Sequence, residues 1–331
     1  MPSPSAALTT TRPELAGSLM EFELDMERQG FIALKAAPVM EVAQATGIFG
    51  KIPIEELLKE GKTLRAPGAG YNRMQFTFTS DSFLTQEHGV EEVVDDNQAR
   101  MYREFFDAEL VAARRARSII MRAFEKRVAD LLGSTATWTG SALTTAVSTA
   151  WSTTSSATPV TDVEAAKIYV KDNCGMEPNA MIIGWKAFNN LRLNTTSNQL
   201  IDRIKYSGHY NPAAKYLSAE VIGEAFDLKH VLVAGAMRNS ANEGQSASLT
   251  SCWSNDNVMV CKIAETSDIE EPCIARTFHW GEDGSTIGAT VESYRDEARR
   301  GEVIRCRMQT DEKVLYTECG HLLTNINGGT A

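Results

Sequence analysis

The stretch QARMYREFFDAELVAARRARSIIMRAFEKRVADLL, residues 98–132, decides how the rest of the chain must fold. Apolar residues recur at Met101, Phe105, Phe106, Leu110, Ile120, Phe124, Val128 and Leu131, and Ile119 and Leu132 widen the stripe. Steps of mostly three, four and seven put them on one side of a helix. The stripe is thinnest from Ala112 to Ala116, and neither Pro nor Gly interrupts it. Asp95, Asp96 and Asn97 offer N-cap oxygens, and Gly133 is placed for a left-handed C-cap. At 1.5 Å per residue one rod would span roughly 50 Å, longer than burial of a single face requires. The segment reads as a beam between distant parts of the molecule.

Immediately before it, residues 50–94 read as a long hairpin. Pro53 biases Ile52 away from helix, and Gly61, Pro67, Gly68 and Gly70 mark a loop tip. The return leg from Asn72 to Phe83 alternates Met74, Phe76 and Phe78 with Arg73, Gln75, Thr77 and Thr79, the period of a half-buried strand. Phe76, Phe78 and Phe83 need cover, for which a neighbouring subunit is the natural source. The acidic run Glu87 to Asp96 carries the chain into the helix N-terminus, where negative charge is favourable. Further upstream, residues 1 to about 20 are rich in Ser, Thr, Ala and Pro and read as a mobile arm. Phe22, Met26 and Phe31 to Leu34 could add short elements beyond it.

After Gly133 the composition changes. Residues 135–162 are poor in charge and rich in Ser, Thr and Ala, and read as a surface loop or strand-edge excursion, not a core element. From Thr161 to Ala264 helices and strands alternate, as in a mixed α/β domain. Helices are expected from Thr161 to about Asn173, Trp185 to Leu191, Gln199 to Tyr206, and after Ser218; strands at Ala180–Ile183, His230–Ala234 and Asn257–Ala264. From Cys273 on the chain is strand-rich, with segments at Phe278–Trp280, Thr290–Tyr294, Glu302–Met308, Val314–Glu318 and His321–Leu323. The apolar face of the long helix is their obvious cover.

Composition narrows the function. The chain has 331 residues and is 43% hydrophobic, enough for a substantial core. Its net charge of −10 argues against gripping nucleic acid through a general positive field. No run approaches the ~18 apolar residues of a membrane helix, and the N-terminus lacks a signal-peptide core. The six cysteines, Cys174, Cys252, Cys261, Cys273, Cys306 and Cys319, have no zinc-knuckle spacing and read as free thiols of a reducing cytosol. Phosphate-binding, dinucleotide, zinc-protease and serine-hydrolase motifs are all missing. The Gly-Ala-Gly at 68–70 sits at a hairpin tip before a strand, the reverse of a dinucleotide site. The histidines share no local face, and Glu91, Glu92, Asp95 and Asp96 read as a solvated acidic face, without the spacing of a calcium loop. Arg114, Arg115, Arg117, Arg122, Lys126 and Arg127 could contact nucleic acid, but nearby Glu104, Asp107, Glu109 and Glu125 favour ion pairing. The tryptophans make no stacking pattern and read as packing residues. Neither a catalytic, a cofactor-binding nor a metal site emerges.

The order of parts resembles the major capsid proteins of tailed bacteriophages, the Hong Kong ninety-seven fold, from about Phe22 to Leu323. The resemblance rests on GKIPIEELLKEG (50–61), LRAPGAGYNRMQFTFTSDSFLTQEHGVEEVVDD (64–96), the helix after it, GMEPNAMIIGWKAFNNLR (175–192), LIDRIKYSG (200–208) and AEVIGEAFDLKHVLVAGAMRNSA (219–241). It implies an α+β architecture: an N-terminal arm (1–49), an extended-loop hairpin (50–94), a peripheral domain with spine helix and following loop (95–159), an α/β axial domain (160–265), and a return to the peripheral β-sheet (266–331).

The function this implies is structural: self-assembly through hexamers and pentamers into an icosahedral head shell around phage double-stranded DNA, without sequence-specific binding, cofactor or membrane. Arg65, Ala66, Pro67, Gly68, Tyr71, Phe76 and Phe78 would contact a neighbouring subunit; Phe105, Ile120, Phe124 and Val128 would face the core. The short arm implies a separate scaffolding protein, or none; a portal and a decoration protein are further partners of the family. The shell would form in the host cytoplasm and reside in the virion. Lys51, Lys59 and Lys62 match no cross-linking pattern, so a covalent cross-link is not expected. The competing readings are an encapsulin-like nanocompartment shell and an unrecognised cytosolic α/β enzyme.

Overall fold

A computed structural model describes residues 10–11, 28–102, 107–197, 199–206, 217–281, 284, 286–288 and 290–329. Two sheets organise the chain. The larger is built on β14 (Gly301–Val314), in which Ile304, Cys306, Met308 and Thr310 are buried on one face, the period of a strand with one covered side. Along one edge β14 pairs antiparallel with β5 (Gln86–Asp95), from Gly301 opposite Asp95 to Thr310 opposite Gln86. The other edge is shared by β13 (Thr290–Asp296) and β12 (Ala275–Trp280), since Thr310 faces both Gln86 and His279. β2 (Val39–Val42) adds parallel to β12, and β1 (Thr10–Thr11) adds to β13. Apart from β1, residues 1 to about 20, expected as a mobile arm, lie outside the described residues, as do Phe22 and Met26. The segments expected at Glu302–Met308 and Val314–Glu318 are one long strand and a single 3-10 turn, Thr317–Cys319.

The acidic run before the helix is β5, a strand of this sheet and not a connector. Two of its charges are matched by arginines, Glu91 across the sheet by Arg305 at 2.7 Å and Glu92 by Arg115 of the covering helix at 2.9 Å. On the opposite edge Arg307 reaches Glu292 at 2.8 Å. Cross-strand pairing of this kind lets a Glu-rich segment hold a place in a sheet.

The helix that covers the sheet is not one unbroken rod. α3 (Asp96–Tyr102) is followed by α4 (Ala108–Gly133), which begins afresh at Asp107. Asp107 has extended backbone, φ −78° and ψ 110°, and its carboxylate accepts from the Glu109 and Leu110 amides. A short acidic side chain competes with the helix for backbone donors and makes a good N-cap, so a break appears where neither Gly nor Pro signals one. The 26 residues of α4 span roughly 39 Å. Its end also differs: Gly133 is the last helical residue, Ser134 caps in extended geometry, and Asn257 donates to the Gly133 carbonyl at 3.0 Å.

Ile120, Phe124 and Val128 are buried in the main core with Phe278, Cys306 and Met308. Phe105 lies outside the described residues. Ala112, Ala113 and Ala116, the thin part of the stripe, are fully buried. Small side chains there let the helix approach the sheet closely, so the thin part of the stripe is as buried as its bulky part at Phe124, Val128 and Leu132. Ile119 and Met101, in contrast, are exposed.

The neighbour of Phe124 is also buried. Glu125 accepts from the backbone amides of Ile32 and Ala33, both at 2.9 Å, and from the Trp253 indole at 2.5 Å. Burial pushes this carboxyl upward in pKa, and its three donors oppose the shift. The bonds hold the start of α1 (Ala33–Ala36) on the helix.

The second sheet has the order β6 (Thr144–Ala146), β15 (Gly320–Thr324), β11 (Val258–Cys261), β7 (Ala180–Gly184) and β8 (His230–Ala234). β7 and β11 are apolar and buried throughout, as central strands are. The α/β alternation is as expected: α5 (Pro159–Cys174) ends on left-handed Gly175, φ +73°, α6 covers Trp185–Arg192, α7 Leu200–Tyr206, and α8 (Ala219–Phe226) is capped by Ser218. Two placements differ from the sequence reading. His321–Leu323 belongs to this sheet, between β11 and β6, and not to the peripheral one. The Ser/Thr-rich segment does supply an edge strand, β6, but it is a core element as well, because Trp138 and Trp151 are buried and the Trp151 indole donates to Asp162 at 2.9 Å. All six cysteines are buried and free.

Two variants test this core. Phe124→Asp places an unpaired carboxylate in the main cluster and is expected to cost more than about 4 kcal/mol, read as insoluble or unfolded protein. Glu125→Ala strands three donors and is expected to lower stability by about 2–4 kcal/mol in denaturant unfolding.

Candidate inter-subunit surface

The hairpin is anchored at its base and open at its tip. β3 (Thr46–Lys51) and β4 (Thr79–Leu84) pair antiparallel, Thr46 opposite Leu84 and Lys51 opposite Thr79. Phe83 is buried and stacks on Phe278 with centroids 4.9 Å apart, so its own subunit supplies the cover the sequence sought from a neighbour. Gly47 is required here, since a Cβ would meet the Phe83 ring at 2.8 Å. The Lys51 ammonium lies 4.4 Å from the Tyr316 ring centroid, and the Tyr316 hydroxyl donates to the Ile52 carbonyl at 3.1 Å. Lys313 pairs with Asp81 at 2.6 Å, and Asp311 accepts from the Leu84 amide at 2.9 Å. The base is thereby clamped to the end of β14.

Beyond the clamp the chain makes one helical turn, α2 (Ile54–Leu57), and then leaves regular structure until Thr79. Residues 72–78 form no strand. Their alternation is genuine, but among the described residues no partner strand lies beside them, and both faces are exposed. Tyr71, Phe76 and Phe78 are 79%, 56% and 70% exposed, and Leu64 is 91% exposed. Leu57, Leu58 and Met74 extend the same uncovered apolar surface.

Polar bonds nevertheless fix the loop's shape. At the tip the Ala69 amide donates to the Ala66 carbonyl at 3.1 Å with Gly68 at φ +82°, the geometry of a type II turn with Pro67 first. Arg65 donates to the Ala69 carbonyl at 2.6 Å, and its guanidinium sits 4.5 Å from the Tyr71 ring centroid. Asn72 reaches across to the Lys62 carbonyl at 2.6 Å. Lower down, Glu56 takes Lys59 at 3.1 Å and the Thr77 hydroxyl at 3.0 Å, and those bonds lower its carboxyl pKa. Arg65, Ala66, Pro67, Gly68 and Tyr71 are thus one local constellation; Phe76 and Phe78 lie on the returning leg.

The basic residues of α4 are largely occupied. Arg127 makes a two-pronged contact with Glu312, both bonds 2.9 Å; Arg115 pairs with Glu92; Lys126 pairs with Asp130; Arg122 donates to the Met237 carbonyl. Among the described residues no group of three or more His, Cys, Asp or Glu could hold a metal ion, and no helix is long and apolar enough to cross a membrane.

No protein-family model matches the chain. Over 306 residues it is 26% identical to the major capsid protein of Burkholderia phage BcepMu, covering 90% of this chain and 92% of that protein. Among solved structures, a phage-related protein from Bordetella bronchiseptica superposes with TM-score 0.70 at 22% identity, over 98% of this chain and 99% of the other. The capsid of cyanophage P-SCSP1u gives 0.54 at 11% identity, over 97% and 90%. An encapsulin complex from Synechococcus elongatus gives 0.51 at 9% identity, over 88% and 86%. The fold is therefore that of phage capsid proteins, which encapsulins share.

Because Phe76 and Phe78 make no core in the protomer, the double change Phe76→Ser, Phe78→Ser is expected to move the stability of the unassembled subunit by less than about 0.5 kcal/mol. Denaturant unfolding of dissociated protein checks this, and a larger loss would place these rings in the subunit's own core.

Proposed function

We propose that this chain is the major capsid protein of a tailed phage, many copies of which assemble through hexamers and pentamers into the icosahedral shell around its double-stranded DNA. The observation that carries this reading is the similarity to a phage major capsid protein along nine-tenths of both chains. The role is structural. Repetition of one set of patches around closed symmetry axes builds the shell.

The exposed loop supplies one such patch. The clamp at Lys51, Phe83 and Lys313 gives a fixed launching point, and the polar braces hold an apolar surface that a protomer alone leaves wet. A neighbouring subunit would cover Leu64, Tyr71, Phe76 and Phe78, and the turn at Arg65 to Gly68 would mark where that contact ends. Residues 1–49 would act as the arm and 50–94 as the extended loop. Residues 95–159 with most of 266–331 would form the peripheral part, and 160–265, joined by β6 and β15, the axial part. A net charge of −10 suits a wall that encloses DNA without holding it. Assembly in the host cytoplasm, with a portal and a separate scaffolding protein and with room for a decoration protein, completes the reading.

A nanocompartment shell is the second reading, favoured by the fold shared with the encapsulin complex. Electron micrographs and nucleic-acid assays of purified particles decide. Uniform shells with packaged DNA are expected; shells filled with protein cargo would select the nanocompartment, and protein that stays monomeric or dimeric in infected cells would overturn both. Deletion of Lys62 to Tyr71 is expected to leave a folded subunit, by circular dichroism, that yields no mature particles in sedimentation. Wild-type particle yield from that deletion would remove the loop tip from the assembly contacts.

A further inference from the structure

A groove of about 1550 Å³ runs between the last turns of α4, the start of α6, and the hairpin of β9 (Met237–Asn239) and β10 (Leu249–Ser251). It is larger than the roughly 300–1,000 Å³ that encloses a small ligand. Its charge is opposite to that of the chain as a whole. Lys126, Lys186, Arg238 and Arg28 line it, against Asp130 as the one carboxylate among the described lining residues. Lys126 already pairs with Asp130, which leaves Lys186 and Arg238 facing the groove with no carboxylate of the described lining beside them.

Two further features mark the groove as unfinished. Arg238 and Thr250 face each other across the β9–β10 ladder, and the Arg238 Nε and the Thr250 hydroxyl are buried with no hydrogen-bond partner among the described residues. Buried donors are ordinarily satisfied. Burial and the adjacent Arg238 charge also push the Lys126 pKa down, a like-charge crowding that an anion would relieve. Around the groove, Trp185, Met237 and Leu249 expose apolar surface. Cations beside exposed apolar side chains suit a polypeptide carrying both carboxylates and apolar groups. A nucleic-acid backbone would leave the apolar rim unused.

We propose that this groove docks an acidic, leucine-bearing segment of a second protein, with its carboxylates on Lys186 and Arg238 and its apolar side chains on Trp185 and Leu249. This function is additional to shell formation and does not depend on it.

The test is a fluorescence-anisotropy titration of full-length protein, particles and dissociated subunits alike, with a labelled synthetic peptide of Asp, Glu and Leu. The comparison probes are a Lys/Leu peptide, an Asp/Glu/Ser peptide and a short single-stranded DNA. Saturable binding of the first probe alone is expected, weakened about tenfold or more by Lys186→Glu and by raised salt. Trp185 emission should shift on binding. Lys186 is exposed, so its charge reversal leaves the fold intact, and Leu249→Ser provides an independent second variant with the same expected loss. Equal binding of the Lys/Leu peptide or the DNA, indifference to both variants, or no saturable binding would overturn the proposal. So would a cryo-EM map of assembled particles in which a neighbouring copy fills the groove. Particle formation, followed by sedimentation, stays a separate readout.

Discussion

The structure depends on a buried carboxylate. Glu125 sits in the middle of α4 and faces inward, where an ionisable group is costly unless its lone pairs are used. They are used by three neutral donors from two remote parts of the chain: the amides of Ile32 and Ala33, and the indole of Trp253. The requirement fixes the rotation of the helix about its axis. It also ties the segment that leads into β2, and the loop that leads into β11, to the same helical turn. The first of those strands belongs to the larger sheet and the second to the smaller. One side chain thus ties segments leading into both sheets to one helix, which is the work expected of a beam.

From that fixed frame the hairpin projects as a part of different character. At its base, aromatic stacking of Phe83 on Phe278 and the contacts of Lys51 and Lys313 make it continuous with the core. Past Ile54 the stabilising interactions are polar and local, and the large apolar side chains point to solvent. A globular monomer normally does the reverse, burying apolar groups and leaving polar ones wet. The inversion is intelligible if shape must exist before the partner arrives. A loop already held by its turn and its braces surrenders less conformational entropy on contact, so more of the apolar burial appears as binding free energy.

What could be read in the sequence follows the range of the interactions that decide each element. Residues 160–265 were legible because each helix there carries its own punctuation, such as Ser218 or Gly175, and each strand is a short apolar run. β5 was hidden because its glutamates look solvated until Arg305 and Arg115, far away in sequence or on the next helix, are placed opposite them. The break at Asp107 was hidden because the apolar period runs straight across a residue that caps as readily as it continues. Trp138 and Trp151 drew no notice within a stretch whose average composition suggests a loop. Residues 72–78 show the opposite failure, a strand-like period with no partner strand among the described residues. The exposed tip residues stood out through Pro67 and Gly68, whereas the groove did not, since its cations, at Arg28, Lys126, Lys186 and Arg238, come from four separate segments that only the fold brings together.

The same distinction governs charge. The chain total of −10 suggests a uniformly acidic surface, yet three consecutive residues of α4 belong to three different electrostatic surroundings. A helix turns about 100° per residue, so Glu125, Lys126 and Arg127 sweep over half of its circumference. Glu125 meets backbone donors in the core, Arg127 is neutralised by Glu312 of the sheet, and Lys126 enters the groove beside Arg238. Many carboxylates are matched in this way by arginines across the sheet, as Glu91 is by Arg305 and Asp96 by Arg295. The acidic excess therefore resides on the remaining surface, while Lys186 and Arg238 meet where α4, α6 and the β9–β10 hairpin converge. Net charge sets how the subunit meets a polyanion at a distance; the fold decides where an anionic group can settle once it is close.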